Sequence, residues 1–186
     1  MSISALLASH SGELGVLTEQ QIERLSRHWD LLLKWNRKIN LTRITKPEEA
    51  VLRHFGESIF LAGHLTAGKI ADIGSGGGFP GIPTAIIRPD CTVDLVESVL
   101  KKAAFLHEAS RGLENVHVIG KRAQQVAAPY DWVISRAVDP NEVLALRVSP
   151  RAALLISHAD AERLPRTEAI YPLPWDPNRV LVVCST

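Results

Sequence analysis

From residue 68 onward, short β-rich runs alternate with helix-like segments, and no other feature narrows the possible folds as much. KIADI, TVDLVE, VHVI, YDWVIS, AALLIS and RVLVVC are dominated by β-branched and other apolar residues. Between the early runs stand PGIPTAII, VLKKAAFLHEASRG, AQQVA and NEVLALRV, which read as helical. Strands that alternate with helices form βαβ units, because a parallel neighbour needs a crossover long enough to return to the same end of the sheet. The expected class is α/β, with a mostly parallel sheet covered on both faces. The tail carries Pro165, Pro172, Pro174 and Pro177 and reads as a loop leading into one last strand.

Residues 1–66 read as helical instead. Thr18 and Gln21 have the spacing of a capping box, and Ile22, Leu25, Trp29, Leu32 and Leu33 then recur on one helical face. Pro47 suits the first turn of a second helix, with Glu48 and Glu49 at its positive end and Val51, Leu52, Phe55 and Ile59 as its buried stripe. With 186 residues and no linker before the sheet, one domain over 1–186 is expected, the helical extension 1–66 lying on it.

The stretch ADIGSGGGFPG, residues 71–81, follows the first strand-like run, where ligands of open α/β sheets bind. Two nucleotide cofactors compete for it. Gly76, Gly78 and Gly81 supply G-x-G-x-x-G, and Glu97 at the end of TVDLVE falls where a ribose-binding acid belongs, as in a nicotinamide-dependent oxidoreductase. The glycines also begin earlier, as D-x-G-x-G-x-G from Asp72 to Gly78, which resembles the first motif of S-adenosylmethionine-dependent methyltransferases. Pro80 and Pro83 flank the helix start and remove amide donors that a pyrophosphate needs. That cost is smaller for a cofactor without phosphate. Glu97 serves either cofactor, and its bland alternative is a solvated helix-capping acid.

Longer segments narrow the choice. LLLKWNRKINLTRI, RHFGESI, DIGSGGGFPGIPTAI, KRAQQ and ISRAV occur in this order. Together, over roughly residues 18–157, they resemble the bacterial glucose-inhibited division protein B family, guanine-N7 methyltransferases of small-subunit (16S) ribosomal RNA. The resemblance implies a Rossmann-like class I methyltransferase fold with a seven-stranded sheet and an antiparallel edge. It implies S-adenosyl-L-methionine as cofactor, and 16S ribosomal RNA or the small-subunit particle as partner. Carried onto this chain, it sets Gly74 and Phe79 against the cofactor; Asp72 and Gly76, cofactor-binding candidates from the first methyltransferase motif, lie in the same loop. Ala123 and Gln124 would border the adenine, and Arg136 would face both cofactor and incoming base. The chain departs from the family pattern at Gln124 and Gln125, where acids are usual. It departs again at ISHADAERL, where many relatives carry a lysine-glycine pair, and its C-terminal part is short. A nicotinamide-dependent oxidoreductase and a non-catalytic RNA- or ribosome-binding module remain as alternatives.

Methyl transfer to guanine N7 needs no general base, since the nitrogen lone pair is already available; alignment and electrostatics would carry the catalysis. Arg136 could contact guanine O6, orient the cofactor, or simply brace the loop by pairing with Asp72 or Glu97. Formal net charge is only +1, so RNA would have to meet a local patch. Lys34, Arg37, Lys38, Arg43, Lys46 and Arg53 could form one, and the resemblance makes Lys38, Arg43 and Arg53 the expected phosphate contacts; without it such a run reads first as a solvated charged face. Trp35 and Phe55 are expected in the core, while His54 could touch substrate or satisfy a neighbour. Cys91 and Cys184 stand apart inside strand-like runs, with no metal-ligand spacing; buried thiols and no metal are expected. Neither a signal peptide nor a membrane-spanning run is evident, so a cytoplasmic location is expected.

Overall fold

The computed structural model describes residues 1–127 and 129–186. Short helices α1 (Ile3–Ser9) and α2 (Ser11–Leu14) precede α3 (Glu19–Asn36). The capping box of α3 forms in both directions: Thr18 Oγ1 accepts from Gln21 N–H, and Gln21 Oε1 accepts from Thr18 N–H. α4 (Pro47–Ala50) begins on its proline and runs through a π-helical stretch, Val51–Gly56, into α5 (Glu57–Gly63). The strands and helices that follow are β1 (Gly68–Ile73), α6 (Gly81–Ile87), β2 (Cys91–Val96), α7 (Leu100–Ala109), β3 (Val116–Ile119), β4 (Trp132–Arg136), α8 (Pro140–Ala145), β5 (Arg151–Ser157), α9 (His158–Ala161), β6 (Thr167–Leu173) and β7 (Asp176–Ser185).

The strands form a seven-stranded sheet in the order β3-β2-β1-β4-β5-β7-β6. β1 to β5 run parallel, and β7 pairs antiparallel with both β5 and β6. The antiparallel strand therefore sits one place in from the edge. β1 has β2 on one side and β4 on the other, so strand order reverses there and a crevice opens beyond the carboxyl ends of β1 and β4.

Side chains alternate across this sheet with period two. Ile70, Val93, Leu95, Ile134, Leu155 and Leu181 point to one face and share a single apolar cluster with Leu25, Trp29, Leu32, Phe55 and Phe105. The helical N-terminal segment and one sheet face are thus one core. Ala71, Val133, Leu154, Ile156, Val180 and Val182 point the other way, against Val126, Tyr130, Val143 and Leu164. Cys91 and Cys184 are free and buried.

Two expectations need correction. AQQVA is no crossover helix: Ala123–Gln125 makes one 3-10 turn, too short to bury an apolar stripe. The proline-rich tail is not only loop, because Thr167–Leu173 is the edge strand β6. Pro172 lies next to a register shift, as proline can where an edge strand breaks its ladder. Among the described residues, no helix is long and apolar enough to cross a membrane.

Candidate functional site

A cleft of about 320 Å³ opens at the carboxyl ends of β1 to β3, lined by Ile73, Gly74, Val96, Glu97, Ala123 and Gln124 among others. Gly74 has φ +72°, and a Cβ there would lie 2.5 Å from Val138 Cγ2, so a side chain would be strained and would also crowd the cleft. Gly81 is forced by close approach: its Cβ would lie 2.5 Å from Asp72 Oδ2 and collide with Leu95. The loop between them is held by acids. Glu97, only 7% exposed, accepts from Gly76 N–H at 3.0 Å and from Val99 N–H at 2.8 Å. Asp72 is fully enclosed and accepts from Gly81 N–H at 3.1 Å, while its Oδ1 has no partner. Burial pushes the Asp72 carboxyl up to about 7, against the pull of the Gly81 bond.

The start of α6 discriminates between the cofactors. Gly81 N–H goes to Asp72, Ile82 N–H to the Gly78 carbonyl at 2.8 Å, and Thr84 N–H to the Pro80 carbonyl at 3.0 Å. Pro83 has no N–H. Every amide of this first turn is therefore absent or already bonded inside the protein, and none remains for a pyrophosphate.

Phe79 does not line the cleft. It is 4% exposed, stacked on His54 (centroids 4.3 Å apart, planes at 10°), with His28 at 4.6 Å. His28 Nε2 donates to the Gly77 carbonyl at 2.8 Å, and burial lowers its pKa to about 4, so it is neutral. His54 is neutral as well, pushed down to about 2 by burial and then by the Arg136 charge. Arg136 Nη2 donates to His54 Nδ1 at 2.9 Å, which leaves His54 Nε2–H to donate to Thr42 Oγ1 at 2.8 Å. The structure thus assigns this histidine to neighbouring side chains.

Arg136 does not pair with Asp72 or Glu97, the bracing partners the sequence suggested. Its Nη1 donates to the Arg53 carbonyl at 2.6 Å and lies 3.7 Å from Glu57 Oε2, and the guanidinium stands 5.2 Å over the Phe79 ring. Glu57 is the anchor because α5 brings it under the end of β4. It is 1% exposed and takes Arg179 bidentately, at 2.7 and 3.0 Å, with Arg53 Nε at 3.6 Å. Burial pulls the Arg136 guanidinium down to about 10, which leaves it charged at neutral pH.

A family model described as GidB, rRNA small subunit methyltransferase G, matches residues 21–153. The chain belongs to the GidB family. It is 45% identical over 142 residues to ribosomal RNA small subunit methyltransferase G of Nitrosospira multiformis, covering 74% of this chain and 66% of that protein. The protein of the same name from Chromobacterium violaceum is 47% identical over 126 residues, covering 65% and 60%. The chain therefore spans about two thirds or less of the length of these curated relatives. Among solved structures, a SAM-dependent methyltransferase from Aquifex aeolicus matches with TM-score 0.57 at 15% identity, over 73% of this chain and 92% of that one. Magnesium protoporphyrin IX methyltransferase from Synechocystis PCC 6803, with bound SAM, matches with TM-score 0.57 at 17% identity, over 92% and 99%. These likenesses establish a Rossmann-like methyltransferase fold.

Gly74, Ala123 and Gln124, singled out by the GidB resemblance, and Glu97, singled out by its place at the end of the second strand, line one cleft. Asp72, Gly76 and Phe79 build the loop behind it, and Arg136 braces the β4 side. Lys38 and Arg43 are exposed. Arg53 is not free for a phosphate in the same sense, since its guanidinium lies 3.6 Å from Glu57 and 3.7 Å from Asp176. Phe55 is core, while Trp35 is half-buried and donates to Glu108 at 3.0 Å. Sequence reasoning missed His28, Glu57, Arg179 and Asn36, whose side chain ties down the Leu41–Thr42 backbone. Glu57 and Arg179 did carry a signal: each flanks an apolar run, where a charge is buried only with a partner. Among the described residues, no group of three or more His, Cys, Asp or Glu could hold a metal ion.

Proposed function

We propose that the chain is an S-adenosyl-L-methionine-dependent methyltransferase acting on N7 of one guanine in 16S ribosomal RNA, free or within the small-subunit particle. One observation carries the cofactor assignment. The cleft beside the β1–β4 reversal has a ribose-height carboxylate, Glu97, but a helix start with no amide left for phosphate. The bare edge at Gly74 fits a ligand that approaches backbone closely. The names of the relatives, ribosomal RNA small subunit methyltransferase G, support ribosomal RNA as substrate.

Bound there, the cofactor would supply an electrophilic methyl group on a sulfonium. The chain's own residues bind and align. Each Glu97 oxygen holds one loop amide and can accept a second bond, from a ribose hydroxyl. Gln124 offers both a donor and an acceptor to an adenine edge. Arg136, fixed by Glu57 and by the Arg53 carbonyl, keeps a positive charge on the substrate side, where guanine O6 would lie. Lys38 and Arg43 stand free to meet phosphates. The chain 1–186 would work as one domain, its helical extension completing the sheet's core, in the cytoplasm where ribosomal RNA is processed.

Calorimetric titration with S-adenosylhomocysteine, with NADH and NADPH in parallel, tests the cofactor; labelled methyl incorporation into 16S RNA and into small-subunit particles tests the reaction. Binding of the homocysteine product alone, followed by N7-methylguanine in the RNA, is expected. Binding of a nicotinamide cofactor alone would overturn the reading, and cofactor binding without methyl transfer to either substrate would leave a non-catalytic RNA-binding module.

A further inference from the structure

The cleft's outer rim, on the β2–β3 side, is built in a way that stability does not explain. α7 opens with Leu100, Lys101 and Lys102, has no acid in its first turn, and has no side-chain cap from Val99. Lysines at this end face the positive pole of the helix dipole, at a cost of about 0.3–1 kcal/mol each. Leu100 is 76% exposed and Val99 46%, among the few large apolar side chains so exposed. Lys121 and Arg122 leave β3 beside them and line the cleft. The two segments meet, since a Cβ on Gly120 would lie 3.8 Å from Ala103 Cβ. Among the described residues, no carboxylate lies within 4 Å of any of these cations. Glu97, the acid in the cleft lining, has both oxygens bonded to amides.

Unpaired cations around an exposed apolar side chain match single-stranded RNA, which offers phosphates and flat base faces together. An acidic protein surface would satisfy the cations but would not call for bare Leu100 in their midst. We infer that this rim is a second RNA-binding surface, separate from Lys38 and Arg43: Lys101, Lys102, Lys121 and Arg122 take phosphates of the strand flanking the target, and Leu100 packs on an unstacked base. The inference rests on the RNA methyltransferase reading above. Bound RNA would then lie across the mouth of the cofactor cleft.

The test is the double variant Lys101→Glu/Lys102→Glu, neither residue lining the cleft, with naked 16S RNA binding measured over a salt series. Two lost phosphate contacts should weaken RNA binding by about tenfold or more at 0.15 M salt and flatten the log–log salt slope by about 1.4. S-adenosylhomocysteine affinity should be unchanged, and Tm should hold or rise, because acids suit that helix turn. A merely structural role would lower Tm instead. Leu100→Ser should weaken RNA a few-fold with no change in slope. Unchanged RNA affinity and slope in the double variant, while the wild type still methylates RNA, would overturn the surface alone. Loss confined to the assembled particle, with naked RNA binding intact, would also overturn it and assign the rim to a protein partner. A wild type that neither binds nor methylates RNA would sink the underlying function together with this surface.

Discussion

Asp72→Asn should change stability in a pH-dependent way that few substitutions share. In the folded chain Asp72 is fully enclosed, one oxygen has no partner, and burial raises its pKa from 3.8 to about 7. Arg136 draws the value down and Glu97 pushes it up, but burial dominates. A raised folded pKa means that the stability associated with the protonated form is complete below the unfolded value and is lost as pH rises through about 7. The displacement of roughly three pH units corresponds to about 4 kcal/mol of destabilisation at pH 8, falling to about 2 kcal/mol at pH 5. Asparagine escapes this ionisation penalty, but its amide lacks a second partner in the same enclosure, which costs about 1–3 kcal/mol. The variant should therefore gain about 1–3 kcal/mol at pH 8 and almost nothing at pH 5. For a chain of this length the Tm difference between variant and wild type should narrow by roughly 4–8 °C over that range. Thermal unfolding at pH 8, 6.5 and 5 measures it. A difference that stays constant, or that widens toward pH 5, would show that Asp72 is not held protonated by burial.

Other substitutions probe separate parts of the site. Glu57→Gln removes a buried carboxylate from two half-buried arginines, Arg136 and Arg179, and should cost about 3–5 kcal/mol, a Tm loss of roughly 6–20 °C; a drop below 3 °C in thermal unfolding would mean that water or Asp176 already balances those charges. Gly74→Val puts a branched side chain at positive φ, against Val138 and into the cleft lining, so the loop must shift and the cleft narrows, and S-adenosylhomocysteine affinity by calorimetry should fall about tenfold or more. Normal binding by that variant would put the cofactor elsewhere. Arg43→Glu should weaken RNA and lower the salt slope by about 0.7–0.9 with cofactor binding intact; an unaltered slope removes Arg43 from the RNA face.

Much of this protein follows from its sequence because the relevant signals are local. Alternating strand and helix patterns imply parallel βαβ units wherever they fold, and the box at Thr18 and Gln21 closes between residues three apart. The loop's chemistry was legible for the same reason: Gly74 needs positive φ, and Pro80 and Pro83 strip donors from a helix start only a few residues away. The proline-bearing edge strand was not legible, since its pairing depends on β7 lying between it and β5. What the tertiary structure alone decided is which charges meet. Glu57 and Arg179 are 122 positions apart, Arg136 and His54 82, and His28 and Gly77 49. Periodicity places each of these side chains on a face but says nothing about which distant face will oppose it. Strand order sets that, and burial makes it binding, because an enclosed charge without its partner costs more than most single contacts contribute.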